Sequence, residues 1–161
     1  MESILKKYIC KITAVAILFC ISVLCTACGT QPKQSSVDLQ EIYEQFLEEG
    51  SVPEMSLLSS ERVKKLYGID TSVCPQAIFA TCNDGLRIDE IWLVEAETQD
   101  AAEEIETIAR GRVNQLLHET ENYLPDQYAV AKQAEVLRNG KTVALLISPD
   151  ATKLAALFEK A

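Results

Sequence analysis

Residues 133–138 and 141–148 are two apolar-rich runs that flank Asn139 and Gly140. Asn-Gly between strand-like runs is the strongest short-range signal for a two-residue β-hairpin, because its turn asks for positive φ that Asn and Gly tolerate. A chain with this signal must pair the two runs antiparallel and then cover the apolar surface they create. Residues 76–83 and 88–96 repeat the arrangement on either side of Asp84, Gly85, Leu86 and Arg87, which reads as a second hairpin.

Helical spacing fills the intervals. Leu39, Ile42, Tyr43, Phe46 and Leu47 recur on one face, with Ser35 and Asp38 placed to cap and Gly50 to stop the helix. After Pro53, Ser59 heads a shorter helix carrying Val63, Leu66 and Tyr67, closed by Gly68. A long helix follows from Asp100, its acidic Glu103 and Glu104 suited to a positive N-terminal turn. Ile105, Ile108, Ala109, Val113, Leu116 and Leu117 share one side of it, and Gly111 weakens it by about 1 kcal/mol. Pro125 marks a break. Ser148, Pro149 and Asp150 open a terminal helix that turns Leu154, Leu157 and Phe158 inward.

The order ααββαββα predicts an α+β fold: a four-stranded antiparallel sheet with helices packed mainly on one face. Residues 77–80 and 143–147 are apolar without alternation, whereas 88–96 and 133–138 carry charges, so the first and fourth strands are expected in the middle. Trp92 and Leu93 then point to opposite faces. Trp92, Val94 and Ala96 form either an exposed contact patch or a surface covered by the N-terminal helices.

The N-terminus has a different character. Lys6, Lys7 and Lys11 precede an apolar run over 12–24, and small residues lead into Cys28 and Gly29. This is the layout of a secretory signal. The run Leu24, Cys25, Thr26, Ala27, Cys28 resembles the bacterial lipoprotein box, with Leu24 one place early. That resemblance implies cleavage before Cys28, a diacylglycerol thioether on its sulfur and often a further fatty acid on the new amino terminus. An uncleaved transmembrane anchor and ordinary secretion without lipid are the alternatives. The expected division is 1–27 as a cleaved lipoprotein signal peptide, 28–36 as lipidated cysteine and flexible tether, and 37–161 as one globular domain.

Cleavage leaves 134 of the 161 residues and removes three Lys and one Glu, taking the formal charge from −9 to −11. So acidic a chain disfavours nucleic acid and anionic lipid surfaces as partners. Cys74 and Cys82 are the two cysteines left in the domain besides Cys28. A strand over 76–83 separates them by roughly 26 Å, against an upper limit of about 7 Å for a disulfide.

From Leu39 to Phe158 the sequence resembles the bacterial lipoprotein family catalogued as domain of unknown function 4358, found mainly in Gram-positive Firmicutes. The residues that carry the resemblance are Leu66, Tyr67, Gly68, Ile69 and Asp70; Asp89, Glu90 and Ile91; Arg112; Tyr123, Leu124 and Pro125; Gly140; and Ser148 with Asp150. Thr142 departs from the aromatic residue expected after the glycine. The resemblance implies an envelope location and a fold, and no reaction, substrate or catalytic residue.

Side chains with chemical potential are few. His118, the one histidine, lies near the end of the long helix with no cysteine close in sequence, and complementing the helix dipole accounts for it. Asn83, Asp84, Asp89 and Glu90 cluster at the first hairpin, yet lack the spacing of a calcium loop. Glu103, Glu104, Glu106, Glu119 and Glu121 supply carboxylates for glycan hydrolysis or for a solvated helix face.

The expectation is therefore a membrane-anchored surface lipoprotein, held through lipid on Cys28 at the extracytoplasmic face. Its domain is a non-catalytic binding module for an envelope protein or extracellular ligand, with no catalytic, cofactor or metal site assigned. An envelope hydrolase acting on cell-wall glycan and an accessory substrate-capturing subunit of a transporter are the alternatives.

Overall fold

A computed structural model describes residues 38–161; the expected signal peptide and tether, with Cys28 and Ser35, lie outside the described residues. Strands β1 (Met55–Leu57), β2 (Gln76–Cys82), β3 (Glu90–Glu95), β4 (Glu135–Asn139) and β5 (Thr142–Ile147) form one antiparallel sheet in the order β1-β2-β3-β5-β4. Helices α1 (Leu39–Glu49), α2 (Ser60–Tyr67), α3 (Gln99–Thr120), α4 (Pro125–Lys132) and α5 (Ala151–Phe158) complete the fold, with a 3-10 turn at Thr71–Val73.

The α+β class is as expected, and the sheet has five strands where four were expected. β1 is three residues long, too short to show alternation, and extends the sheet through Met55↔Cys82, Ser56↔Thr81 and Leu57↔Ala80. α4 is also additional. Pro125, read as a break, occupies the first turn of that helix, where its missing N–H leaves no hydrogen bond unmade.

Helices cover both faces of the sheet, a correction to the one-sided expectation. On one face Phe79, Trp92, Val94, Val143, Leu145 and Ile147 pack with Val63, Ile105, Ala109, Leu116 and Val130 from α2, α3 and α4. On the other, Ala80, Ile91, Leu93, Ala144 and Leu146 pack with Leu39, Ile42, Tyr43 and Phe46 of α1 and Leu154 and Phe158 of α5. Two covered faces explain why 143–147 is apolar without alternation. Trp92, Val94 and Ala96 are buried completely, so of the two alternatives the covered surface holds, its cover coming from α2 together with α3 and α4.

The middle strand is β3, a correction to the outer position that its charges suggest; β2 and β5, the first and fourth strands expected in the middle, are its two neighbours. Its Glu90 is buried, which requires compensation from inside the domain. The second hairpin forms as expected, with its turn shifted by one residue. Asn139 pairs with Thr142, so Gly140 and Lys141 make the turn. Gly140 has φ 60° and Lys141 a negative φ, the pattern of a II′ turn with glycine first.

Capping side chains set the starts of α1, α2 and α3, whereas α4 and α5 begin without one, and Pro149, expected as the first residue of α5, precedes its cap residue Asp150. Asp38 and Ser59 cap α1 and α2 as read from the sequence. α3 starts one residue early on Thr98, whose hydroxyl accepts from the Ala101 N–H at 3.1 Å. At α5 the Ser148 hydroxyl accepts from the Asp150 N–H at 3.2 Å, and the Asp150 carboxylate accepts instead from the Ser51 N–H at 2.9 Å. That bond ties the α1 exit to the α5 entry.

Gly50 lies in this same joint. A Cβ there would meet Phe46 O at 2.7 Å, Leu154 Cδ2 at 2.8 Å and Val52 Cγ2 at 3.0 Å. Gly50→Ala is expected to lower unfolding stability by about 1–3 kcal/mol through overpacking, measured by urea titration. Gly111→Ala, where a Cβ meets nothing within 4 Å, should raise stability by about 0.5–1 kcal/mol as a better helix former.

Candidate functional site

Strand alternation places Glu90, Trp92 and Val94 on the face covered by α3. Arg112 lies on the same inward stripe of α3 as Ile105, Ile108 and Leu116, and meets Glu90 across the interface. Glu90 Oε2 accepts from Arg112 Nε at 3.1 Å and Nη2 at 2.9 Å, while Oε1 accepts from Trp92 Nε1 at 2.7 Å. The Glu90 side chain is 2% exposed and that of Arg112 21%. Burial alone would lower the Arg112 pKa, and the Glu90 charge and hydrogen bonds more than reverse it.

Tyr67, the last residue of α2, completes the cluster. Its ring centroid is 4.5 Å from Trp92 and 6.0 Å from Phe79, and the Arg112 guanidinium lies 5.7 Å over it. Burial first, and then the Glu90 charge, hold the Tyr67 phenol far above its ordinary pKa.

Gly68, in the left-handed region at φ 76°, turns the chain out of α2 directly beyond Tyr67. Residues 68–74 then run beside the first half of α3 and leave a groove of about 270 Å³ between them. Ile69, Ala101, Ile105 and Ile108 give it an apolar floor; Asp70, Glu97 and Glu104 give it an acidic rim. Asp70 is organised by its neighbours. Its carboxylate accepts from Lys64 Nζ at 2.7 Å, the Ser72 hydroxyl at 2.6 Å and the Ser72 N–H at 3.1 Å. The Lys64 hydrogen bond above all holds it well below the usual carboxylate range.

Cys74 closes the segment, its thiol donating to the Asp70 carbonyl at 3.7 Å and pushed up in pKa by burial and then by the Asp70 charge. It and Cys82 are free thiols at opposite sides of β2 in the chain. Thr71 Oγ1 is the buried side-chain oxygen left without a partner among the described residues. The 3-10 turn is therefore the least satisfied stretch of the groove wall.

The other residues singled out in the sequence do not converge. Asn83 accepts from the Ser56 hydroxyl, Asp84 from the Leu86 N–H at 2.9 Å, and Asp89 from Arg87 Nε and Nη2 at 2.9 Å each. Each of the three, like Glu90, is thus engaged by a different protein donor. No cluster of three or more His, Cys, Asp or Glu suited to a metal occurs among the described residues. His118 is exposed in the last turn of α3. Glu106 bridges Arg110 at 2.7 Å and Arg138 at 2.6 Å, which also pull its pKa down. Glu103, Glu104, Glu119 and Glu121 are exposed.

Sequence reasoning missed the Glu90 and Arg112 pair and the groove. The available signals were a carboxylate two residues from the one tryptophan on an otherwise apolar strand, and an arginine in the apolar stripe of a helix. Three residues quoted for the family resemblance, Tyr67, Glu90 and Arg112, are brought together in this one cluster. Removing one partner of a buried pair strands the other charge, so Arg112→Ala should lower unfolding stability by about 3–5 kcal/mol. Arg110→Ala, on the exposed side of α3, should change it by less than about 1 kcal/mol. Urea titrations of the two variants compare them directly.

No curated protein and no solved structure matches this chain. Over residues 48–148, more than half of its length, the sequence matches the family described as domain of unknown function (DUF4358), and the chain belongs to that family.

Proposed function

We propose that the protein is a lipid-anchored lipoprotein of the extracytoplasmic membrane face, whose α+β domain is a non-catalytic binding module of the cell envelope. The groove beside residues 68–74 carries this reading. Its floor is apolar and its rim carries Asp70, Glu97 and Glu104, of which Asp70 is fixed in place by Lys64 and Ser72. An apolar hollow with a few placed polar groups is the usual form of a ligand site.

The anchor reading is supported by the residues from Leu24 to Cys28. No helix among the described residues is long and apolar enough to cross a membrane, so the described domain supplies no spanning helix of its own. Two or three acyl chains at roughly 0.8 kcal/mol per buried CH₂ make a durable attachment.

Metabolic labelling with a radioactive fatty acid tests the anchor. The wild-type chain should incorporate label and be shortened, while Cys28→Ala should remain an unlabelled precursor; normal processing of that variant would overturn the reading. For the groove, a photoreactive residue at Val73, which is 61% exposed on the groove wall, should yield discrete adducts in the intact envelope. The same residue at Gln40 on α1 should not. A combined Glu97→Lys and Glu104→Lys substitution should abolish the Val73 adducts, and adduct patterns indifferent to it would count against the groove as the binding site.

A further inference from the structure

Leu86 is 72% exposed, Tyr123 83% and Leu124 39%, and the three line one shallow hollow with Pro125 and Asp126. Leu86 belongs to the loop between β2 and β3, and Tyr123 and Leu124 to the loop between α3 and α4. Single exposed apolar residues are ordinary; three from two separate loops against one hollow form a patch of the kind that marks an interaction surface.

The patch is held rigidly. The Asp84 carboxylate accepts from the Leu86 N–H at 2.9 Å, the Asp84 carbonyl accepts from the Arg87 N–H at 3.0 Å, and Gln127 Oε1 accepts from the Ile88 N–H at 3.1 Å, joining the two loops. Thr120 O accepts from the N–H groups of Tyr123 and Leu124 at 3.2 and 3.0 Å, and the Leu124 carbonyl accepts from the Tyr128 N–H at 2.8 Å. The side chains are presented by turns that need no further ordering, which lowers the entropy lost on binding.

Charge selects the occupant. Asp84 and Glu121 are exposed on the same two loops and Asp126 in the first turn of α4, and the one cation of the two loops, Arg87, is bound by Asp89 through both Nε and Nη2. The apolar trio therefore has an acidic border. A second copy would bring the same charges against themselves, and an anionic bilayer would be repelled.

We infer that Leu86, Tyr123 and Leu124 form a docking surface for a basic protein partner, one that sets apolar side chains within a border of Lys and Arg. Tyrosine is enriched among residues that dominate such contacts. The test uses the full chain in neutral detergent with two fluorescent hexapeptides, Lys-Arg-Leu-Trp-Arg-Lys and Glu-Asp-Leu-Trp-Asp-Glu, read by anisotropy.

The basic peptide should bind, and the acidic one should not. Leu86→Ser combined with Tyr123→Ser should weaken binding by about tenfold or more, with unchanged circular dichroism, and raising salt from about 50 to about 300 mM should weaken it several-fold. Glu121→Lys combined with Asp126→Lys should reverse the preference between the peptides. Absence of basic-peptide binding below about 1 mM, equal binding of both peptides, or indifference to the Leu86 and Tyr123 substitutions would overturn the inference. So would capture of phospholipid by a photoreactive residue at position 123 in the anchored chain, or a dimer in sedimentation that the double serine variant dissolves. Peptide binding in detergent does not require the anchor, so its failure is distinct from failure of fatty-acid labelling at Cys28.

Discussion

Burying the Glu90 carboxylate in the middle strand of the sheet sets a demand that much of the domain answers. An ion moved into a protein interior loses several kcal/mol of solvation even after relaxation. Glu90 recovers it through three donors, two from Arg112 and one from Trp92. These bonds fix α3 in rotation and height against β3, because a shift by one residue on either element would remove the arginine from the carboxylate. The indole is oriented by the same bond, and Tyr67 packs on the indole at 4.5 Å. Tyr67 is the last residue of α2, so the chain that leaves through Gly68 starts from a defined point. The groove wall at residues 68–74 thus inherits its position from an ion pair on the other side of Tyr67.

On the opposite face the joining is lighter and works through the chain ends. α1 and α5 meet over Ile91, Leu93, Ala144 and Leu146. Their junction is drawn tight by Asp150 accepting from Ser51 and by Lys153 donating to the Glu49 carbonyl, with Gly50 leaving no room for a side chain between them. No buried charge is needed there, since Ile91 and Leu93 are purely apolar. The two faces of β3 are therefore held in different ways: a directional polar cluster under α3, and shape-dependent apolar packing under α1 and α5. Only the first specifies register through charge.

Local signals in the sequence were read well where one residue decides the geometry. Asp38 and Ser59 as caps, Gly68 as a helix stop, and the second hairpin around Gly140 all depend on neighbours within four residues. β1 was missed because three residues contain too little alternation, and α4 because Pro125 either ends or begins a helix and only tertiary packing of Val130 and Ala131 decides which. Only the place of β3 departs from the expected strand order, for a physical reason: charge on residues 88–96 suggests exposure, yet Glu90 is 22 residues from the arginine that neutralises it. Long-range compensation leaves no periodic trace. The groove escaped for the same reason, being made by two segments that meet only in the folded chain.

What the domain presents outward follows from what it satisfies inward. Glu90, Asp89 and Asp70, the three carboxylates most tightly held by arginine or lysine outside the long helix's surface pairs, are each fixed by hydrogen bonds of 2.6–3.1 Å. A carboxylate held by several charge-assisted bonds keeps its place, because each bond directs one of its oxygens. The architecture is accordingly suited to display: Gly68 and the 3-10 turn set one apolar surface beside α3, and the Asp84 turn with the Thr120 carbonyl sets another at Leu86 and Tyr123. Both surfaces are bordered by acid in a chain of formal charge −9. At the range where two proteins first meet, that charge acts before any apolar contact does, so each surface favours cationic partners in its encounters and leaves discrimination to the shape beneath.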